Sequence, residues 1–471
     1  MTSKTITFLL VATAALPVWA QTAAEPPPSA FEQFLNDTKH PVSWLTWGAD
    51  FRPRNEYFDT ILTLSESAAL SEQDVMRFRT RLWASAMPVT NLLFNTRIAA
   101  EPRLWLKPAF AGQYRGQSGM EWRYGIMDNL NVQWKQVLDQ PLTITAGRQD
   151  ILLGDYYDWW LVADGTPGDG SWTFFLDSAR LTYDLKEAAT RLDLIYIYQN
   201  PQPDEVLPTL DYSKSYALTD QREQGVIVYA SNKSLKNVQA DGYFIYKHDD
   251  QVYPGIGDNA DIYTLGGKIT GTPFEHVQFS VEGAYQFGYK EDRILGVFDS
   301  RELDAFGGKG KLTYLFKDKW NNQISLVGEY LSGDDPETRG KDEMFDILWG
   351  RWPRWSELYI YSYAPETGGR IAQMNNVARF GAAWSVNPVK KMTVSAMYNA
   401  LYAPEDTPTR AVAPAFSGDG HFRGHYLQSI LKYQFSKNIA GHLWGEWVWE
   451  GDYYAQRDLM TFVRAEVLFT F

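Results

Sequence analysis

From about residue 45 to the C-terminus, apolar and polar residues alternate with a period of two. In residues 45–54, Leu45, Trp47, Ala49 and Phe51 share one face, and Asp50, Arg52 and Arg54 share the other. In residues 75–86, Met76, Phe78, Leu82, Ala84 and Ala86 oppose Arg77, Arg79 and Arg81. Successive strand side chains point to opposite faces, so three arginines at this spacing line one face of a strand, whereas a helix would scatter them. The alternation predicts sixteen further strands near 92–102, 124–137, 142–152, 174–185, 190–200, 222–230, 237–247, 260–271, 277–290, 304–316, 322–332, 373–385, 392–402, 424–435, 438–450 and 458–471. Short connections (88–91, 138–141, 186–189, 231–236, 272–276, 317–321, 386–391 and 436–437) alternate with long ones such as 57–72, 153–173, 201–221, 333–372 and 403–423. Short turns on one side and long loops on the other mark a transmembrane barrel, and an even strand number brings both termini to the short-turn side. The expected fold is all-β: a transmembrane antiparallel β-barrel of about 18 strands, with short periplasmic turns and long extracellular loops. A soluble β-sandwich would explain the alternation, but not the rhythm of the connections or the dense outward aromatics.

Composition narrows the picture. The 471 residues include no Cys, which excludes a disulfide framework, a thiol nucleophile and a Cys-ligated metal. Mean hydropathy is -0.35. Beyond the N-terminus no apolar run reaches the roughly 18 residues of a membrane helix. A net charge of -13 argues against a nucleic-acid binder.

Residues 1–20 carry Lys4 as their only charge, an apolar stretch from Ile6 to Leu16 and the tripeptide Val18-Trp19-Ala20. They read as a secretory signal peptide cut after Ala20. Loss of Lys4 takes the net charge from -13 to -14. Residues 21–43 form a separate periplasmic N-terminal segment. Pro26–Pro28 are stiff, and Ser29 stands where it would cap a short amphipathic helix bearing Phe31, Phe34 and Leu35. This segment reads either as a docking piece for the barrel or a periplasmic partner, or as a loose tail. Residues 44–471 are assigned to the barrel.

The same parity predicts the lumen lining. Its basic set is Arg52, Arg54, Arg77, Arg79, Arg81, Lys135, Arg180, Arg191, Lys268, Lys309, Lys311, Arg379, Lys432 and Arg464. Its acidic set is Asp50, Asp184, Asp193, Asp241, Glu282, Glu329, Glu446 and Glu466, which leaves an expected excess of +6. A basic constriction in a low-dielectric wall concentrates anions, and arginine pairs both oxygens of a carboxylate. The alternative for each residue is a cross-lumen ion pair that only braces the wall. The arginine ladder would cost stability unless an anion or lumenal carboxylates compensate; Asp50 is one such carboxylate, and it cannot balance five cations.

The long loops are acidic. Asp334 and Asp335 are weak metal candidates, although no EF-hand spacing is present and a solvated loop face is the preferred reading. Loop 333–372 adds Trp349, Trp352, Trp355, Tyr359, Tyr361 and Tyr363, and is expected to stack sugar rings or to fold over the mouth as a lid. No nucleophile elbow or P-loop is present, so neither an enzyme nor a cofactor is expected. The last strand alternates Val463, Ala465, Val467, Phe469 and Phe471 with Arg464, Glu466, Leu468 and Thr470. That ending resembles the C-terminal signal read by the barrel-assembly machinery.

Several motifs resemble the alginate export family of outer-membrane β-barrel porins. They are Ala146-Gly147-Arg148-Gln149-Asp150-Ile151-Leu152-Leu153-Gly154-Asp155, Leu176-Asp177-Ser178-Ala179-Arg180-Leu181, the Arg-x-Arg-x-Arg of the second strand, and Ser332-Gly333-Asp334-Asp335-Pro336 followed by Phe345-Asp346. The resemblance implies a single-chain eighteen-stranded barrel with an arginine-rich, anion-selective lumen for a uronate polymer. The expected function is passive export of an anionic polysaccharide such as alginate across the outer membrane of a Gram-negative bacterium. The alternative is a diffusion porin for uptake of anionic oligosaccharides or small anionic solutes. Expected partners are the transported saccharide, outer-membrane lipids, the barrel-assembly machinery and periplasmic polysaccharide-secretion proteins, with no nucleic acid.

Overall fold

The computed structural model describes residues 30–471, apart from 123–124, 152, 154–174, 203–206, 208–209, 211–218, 220, 253–256, 295–296, 351–354, 367–373 and 407–414. The expected signal peptide, Pro26–Pro28, Trp352 and most of the acidic loop 153–177 lie outside the described residues.

Eighteen antiparallel strands close into a ring. They are β1 (Leu45–Asp59), β2 (Glu72–Val89), β3 (Leu92–Ala100), β4 (Ile126–Trp134), β5 (Leu142–Gln149), β6 (Leu176–Leu185), β7 (Thr190–Gln199), β8 (Arg222–Asn232), β9 (Val238–Asp250), β10 (Asn259–Phe274), β11 (Val277–Ile294), β12 (Val297–Leu315), β13 (Gln323–Leu331), β14 (Val377–Val389), β15 (Met392–Tyr402), β16 (Phe422–Ser436), β17 (Ile439–Glu450) and β18 (Leu459–Thr470). Each strand pairs with its sequence neighbours, and β1 also pairs with β18, so no edge is left open. Every expected strand is present. Residues 291–294 and 297–303, expected between two strands, instead extend β11 and β12.

Alternation sorts the side chains as a membrane barrel requires. Phe51, Leu82, Phe94, Leu181, Leu194, Val228, Leu265, Leu312, Leu326 and Phe380 are exposed on the outer face, while Asp50, Arg52, Arg54, Arg77, Arg79 and Thr264 are buried on the inner one. In water so many exposed apolar side chains would drive association, but a lipid belt covers them at no cost. Trp134, Trp320, Trp384 and Phe435 stand exposed toward the short-turn end, where amphipathic rings suit a membrane interface. At that same end α1 (Ala30–Lys39) lies against the closing seam. The Trp47 indole donates to the Thr38 carbonyl at 2.6 Å, and Lys39 sits 5.4 Å from the Phe471 ring centroid.

The hydrophobic core lies inside the barrel. Ile195, Ile197, Ile227, Ile245 and Ile262 point inward from β7 to β10 and are fully buried together with Phe345, Ile347, Leu348 and Trp349. The connection between β13 and β14 therefore does not rest over the mouth as a lid. It enters the barrel, because five isoleucines facing a water-filled lumen would each forfeit about 1.5–3 kcal/mol of burial. After Trp355 it forms α2 (Leu358–Glu366), which also lies within the lumen.

Candidate functional site

The inner wall at the β1–β2–β18 seam is built from interleaved charges. Register places Arg52 opposite Arg79, Arg54 opposite Arg77 and Asp50 opposite Arg81. Glu56 and Glu101, absent from the expected acidic set, join Asp50 and Glu466 as the counter-charges here. Arg52 meets Glu101 at 3.1 Å and Glu466 at 3.5 Å. Arg54 meets Glu56 at 3.0 Å, and Arg77 bridges Glu56 at 2.7 Å and Glu101. Arg79 and Arg81 share Asp50 at 3.6 and 2.6 Å, and Arg464 holds Glu56 at 2.6 Å. Buried cations without such partners would be prohibitive, so the ladder stands because the wall supplies its counter-charges.

The other sequence-predicted positions divide by depth. Arg180 donates to Asp193 at 2.9 Å; the exposed Arg191 donates to the other oxygen at 3.3 Å. Lys309 pairs with Glu282 at 3.5 Å, and Arg379 with Glu329 at 2.6 Å. Lys135 and Lys311 are exposed toward the short-turn end, away from the ladder. Glu446 lies deep in the wall and holds a helix, as described below. Both oxygens of Asp334 accept from Arg301, at 2.9 and 2.8 Å, and Asp335 accepts from the Glu337 backbone at 2.8 Å, so these two candidates brace the start of the inward segment.

The expected tally of +6 leaves out inner-facing acids nearer the loops, such as Glu56, Glu101, Glu223 and Asp249. Among the described residues twelve Lys and Arg side chains are buried against eighteen Asp and Glu. The arrangement is directional, however. In the pairs Arg81–Asp50, Arg180–Asp193, Lys309–Glu282 and Arg379–Glu329 the cation is the more exposed partner, as with Arg180 at 17% against Asp193 at 3%. In these four pairs the carboxylate is the deeper group, whereas in Arg79–Asp50, Arg148–Asp177 and Arg464–Glu357 the order is reversed.

The inward segment is tied to the wall along its length. Gln286 exchanges two hydrogen bonds with the Asp346 backbone, at 2.7 and 2.8 Å, and the Asp346 carboxylate lies 4.0 Å from Lys247 and 3.8 Å from Lys290. Trp349 fits over Gly225, where a Cβ would come 2.6 Å from its ring. At α2, Glu446 accepts from the Ser356 hydroxyl (2.6 Å) and from the backbone N–H groups of Glu357 (3.0 Å) and Leu358 (2.9 Å). These are the orphan donors of a helix N-terminus, and a carboxylate there also answers the helix dipole. Arg464 reaches Glu357 at 2.5 Å, and Tyr361 stacks on Phe58 with centroids 4.8 Å apart. Burial pushes the Tyr359 phenol up to about 12 and Tyr363 well above the ordinary range, so both remain protonated.

Two of the sequence motifs meet across neighbouring strands. Gly147 has φ +118, and a Cβ there would lie 2.3 Å from the Leu130 carbonyl, so the position requires glycine. The resulting irregularity turns Arg148 inward to clasp Asp177 at 2.8 and 3.1 Å, with the Phe175 ring centroid 3.9 Å from its guanidinium.

Comparison with known proteins agrees with this geometry. The family described as alginate export matches residues 202–467, more than half of the chain. No curated protein matches. Among solved structures, Pseudomonas aeruginosa OccK8 (OprE) superposes with a TM-score of 0.58 at 11% identity, covering 91% of this chain and 98% of that one. P. aeruginosa OccK2 (OpdF), solved in complex with glucuronate, gives 0.55 at 9% identity with 91% and 98% coverage. Acinetobacter baumannii OccAB3 gives 0.52 at 11% identity with 90% and 99% coverage. At these identities the likeness speaks for the fold.

Proposed function

The chain belongs to the alginate export family of outer-membrane channels, and from that premise we propose that it is a passive, non-enzymatic conduit for uronate-containing carbohydrates. The observation that carries this reading is a directional charge layer: at Arg81, Arg180, Lys309 and Arg379 the basic side chain is more exposed than the carboxylate it pairs with. A passing sugar acid meets guanidinium forks that can take both its oxygens, and pairing already present in the wall keeps each fork oriented. The pore-lining residues of this reading are Arg52, Arg54, Arg77, Arg79, Arg81, Arg180, Arg191, Lys309, Lys311, Arg379 and Arg464. Family membership favours outward passage of an anionic polysaccharide such as alginate.

A second reading, uptake of single uronates or short oligomers, is supported by the segment 332–376, which ties into the lumen through Asp346, Glu357 and Glu366. A linear polymer would have to pass this segment. Swelling of liposomes containing the full chain, challenged with glucuronate, oligo-uronates of increasing length and matched neutral sugars, tests both. Faster entry of uronates than of neutral sugars supports the channel assignment. A sharp cut-off at one or two units selects the uptake reading, and equal entry of neutral sugars removes the uronate assignment altogether.

A further inference from the structure

The C-terminal end of α2 places a carboxylate in a site built for one. Glu366 receives Arg423 in a two-pronged bond, Nη1 to Oε1 at 2.5 Å and Nη2 to Oε2 at 2.8 Å. The Tyr453 hydroxyl donates to Oε2 at 3.1 Å. The Arg423 guanidinium lies 4.3 Å from the Tyr453 ring centroid and 5.5 Å from that of Tyr363, and it also donates to the Asn376 carbonyl at 2.7 Å. All of these groups are buried near the loop end of the barrel. A planar fork, a hydroxyl donor and flanking aromatic faces are the chemistry that recognises a sugar acid: fork and hydroxyl take the carboxylate, and a ring covers the pyranose face. The other end of the helix repeats the theme, with Glu357 held by Arg464 at 2.5 Å. From Glu357 to Glu366 the helical rise is about 14 Å. Thus α2 offers two acidic groups, spaced along a rod, to two lumen arginines.

We propose that Arg423 and Tyr453 form a carboxylate subsite for the transported uronate, occupied in this state by Glu366 of the protein's own inward segment. Glu366 is an internal stand-in for substrate. An entering uronate carboxylate exchanges with it, Arg423 keeps a partner throughout, and the C-terminal end of α2 loses its clasp. The exchange avoids the cost of an unpaired buried cation at the subsite, which is why an anion can drive it and a neutral sugar cannot. The inference rests on the reading of the lumen as a uronate channel and adds the means by which the substrate loosens the segment in its path.

A tethered competitor acts at an effective concentration of the order of millimolar or above, so removing it exposes the intrinsic affinity of the subsite. The test uses the full chain in detergent, with sodium glucuronate as probe and glucose as control, read by thermal shift. In Glu366→Gln, glucuronate should raise Tm at concentrations at least about tenfold lower than in the wild type, while glucose has no effect. The double variant Glu366→Gln with Arg423→Gln should lose the glucuronate response. A folded Glu366→Gln that responds as the wild type does overturns the proposal, and so does a double variant that keeps the wild-type response. Where Glu366→Gln alone fails to fold, the double variant decides, since it removes both charges together. Wild-type ion selectivity in bilayers separates the two levels: a cation-selective wild type with a glucuronate-sensitive Glu366→Gln sinks the channel reading and leaves the subsite standing.

Discussion

Glu446 is the point at which the inward segment is most exposed to a single substitution. Its carboxylate accepts five hydrogen bonds: from the Ser356 hydroxyl, the Glu357 and Leu358 N–H groups, the Trp444 indole at 2.6 Å and the Gln428 amide at 3.2 Å. Glu446→Gln preserves the shape but exchanges one acceptor oxygen for a donor. That amide then faces Ser356, whose hydroxyl can turn, and the Leu358 N–H, which cannot. Roughly two bonds to a charged acceptor are lost, at about 1.5–3 kcal/mol each, and relief from burying a carboxylate returns part of this. A net penalty of about 2 kcal/mol on docking of α2 shifts its docked-to-undocked ratio about thirtyfold. The barrel wall is held by backbone ladders and should survive. In planar bilayers the variant should show more frequent or longer high-conductance openings, with folding verified by heat-modifiable gel mobility. A folded variant with wild-type conductance and current noise would refute the assignment of Glu446 as the anchor of α2.

Other expectations follow from the same geometry. Arg77→Gln removes the cation that bridges Glu56 and Glu101, leaving Glu56 to Arg54 and Arg464 and Glu101 to Arg52, and should cost about 1.5–3 kcal/mol, seen as a lowered Tm. Arg81→Gln, at the more exposed edge of the ladder, should change the unfolding free energy by no more than about 1 kcal/mol while weakening anion selectivity; the reverse pattern would misplace the ladder. Deleting 340–370 should impair assembly, because it uncovers the inner isoleucines, and a cleanly folded deletion with raised conductance would show that the segment is dispensable to the wall. Gly225→Ala drives a Cβ to 2.6 Å from the Trp349 ring and 2.2 Å from the Tyr246 carbonyl, so it should loosen the segment and raise current noise; silence there would mean that Trp349 can shift freely.

How far the residues announced this structure depends on how local the responsible interaction is. Parity alone put Arg52, Arg54, Arg77, Arg79 and Arg81 on one wall, because period two is a property of the strand itself. Glu56 escaped notice because it sits just beyond the expected end of the first strand, and strand ends are where pairing extends or stops on tertiary grounds; Glu101 lies inside the expected strand 92–102, at the parity of Arg97 and Ala99, and was legible. Pro365 and the tyrosine-rich run 358–363 hid α2, whose ends are stabilised by Glu446 and Arg423 from distant strands as well as by the Ser356 hydroxyl, which accepts from the Tyr359 N–H at 3.1 Å. The inward turn of the segment had one readable trace: Ile195, Ile197, Ile227, Ile245 and Ile262 carry lumen parity in strands where polar residues would be expected, and a buried cover is the physical consequence.

The central claim, a passive channel that presents cationic groups to uronates, is tested most directly by the zero-current potential of the wild-type chain in a planar bilayer separating unequal concentrations of sodium glucuronate. The directional charge layer predicts a potential whose sign reports glucuronate as more permeant than sodium, shrinking as ionic strength rises. A potential of the opposite sign, reporting sodium as the preferred ion, would contradict the account.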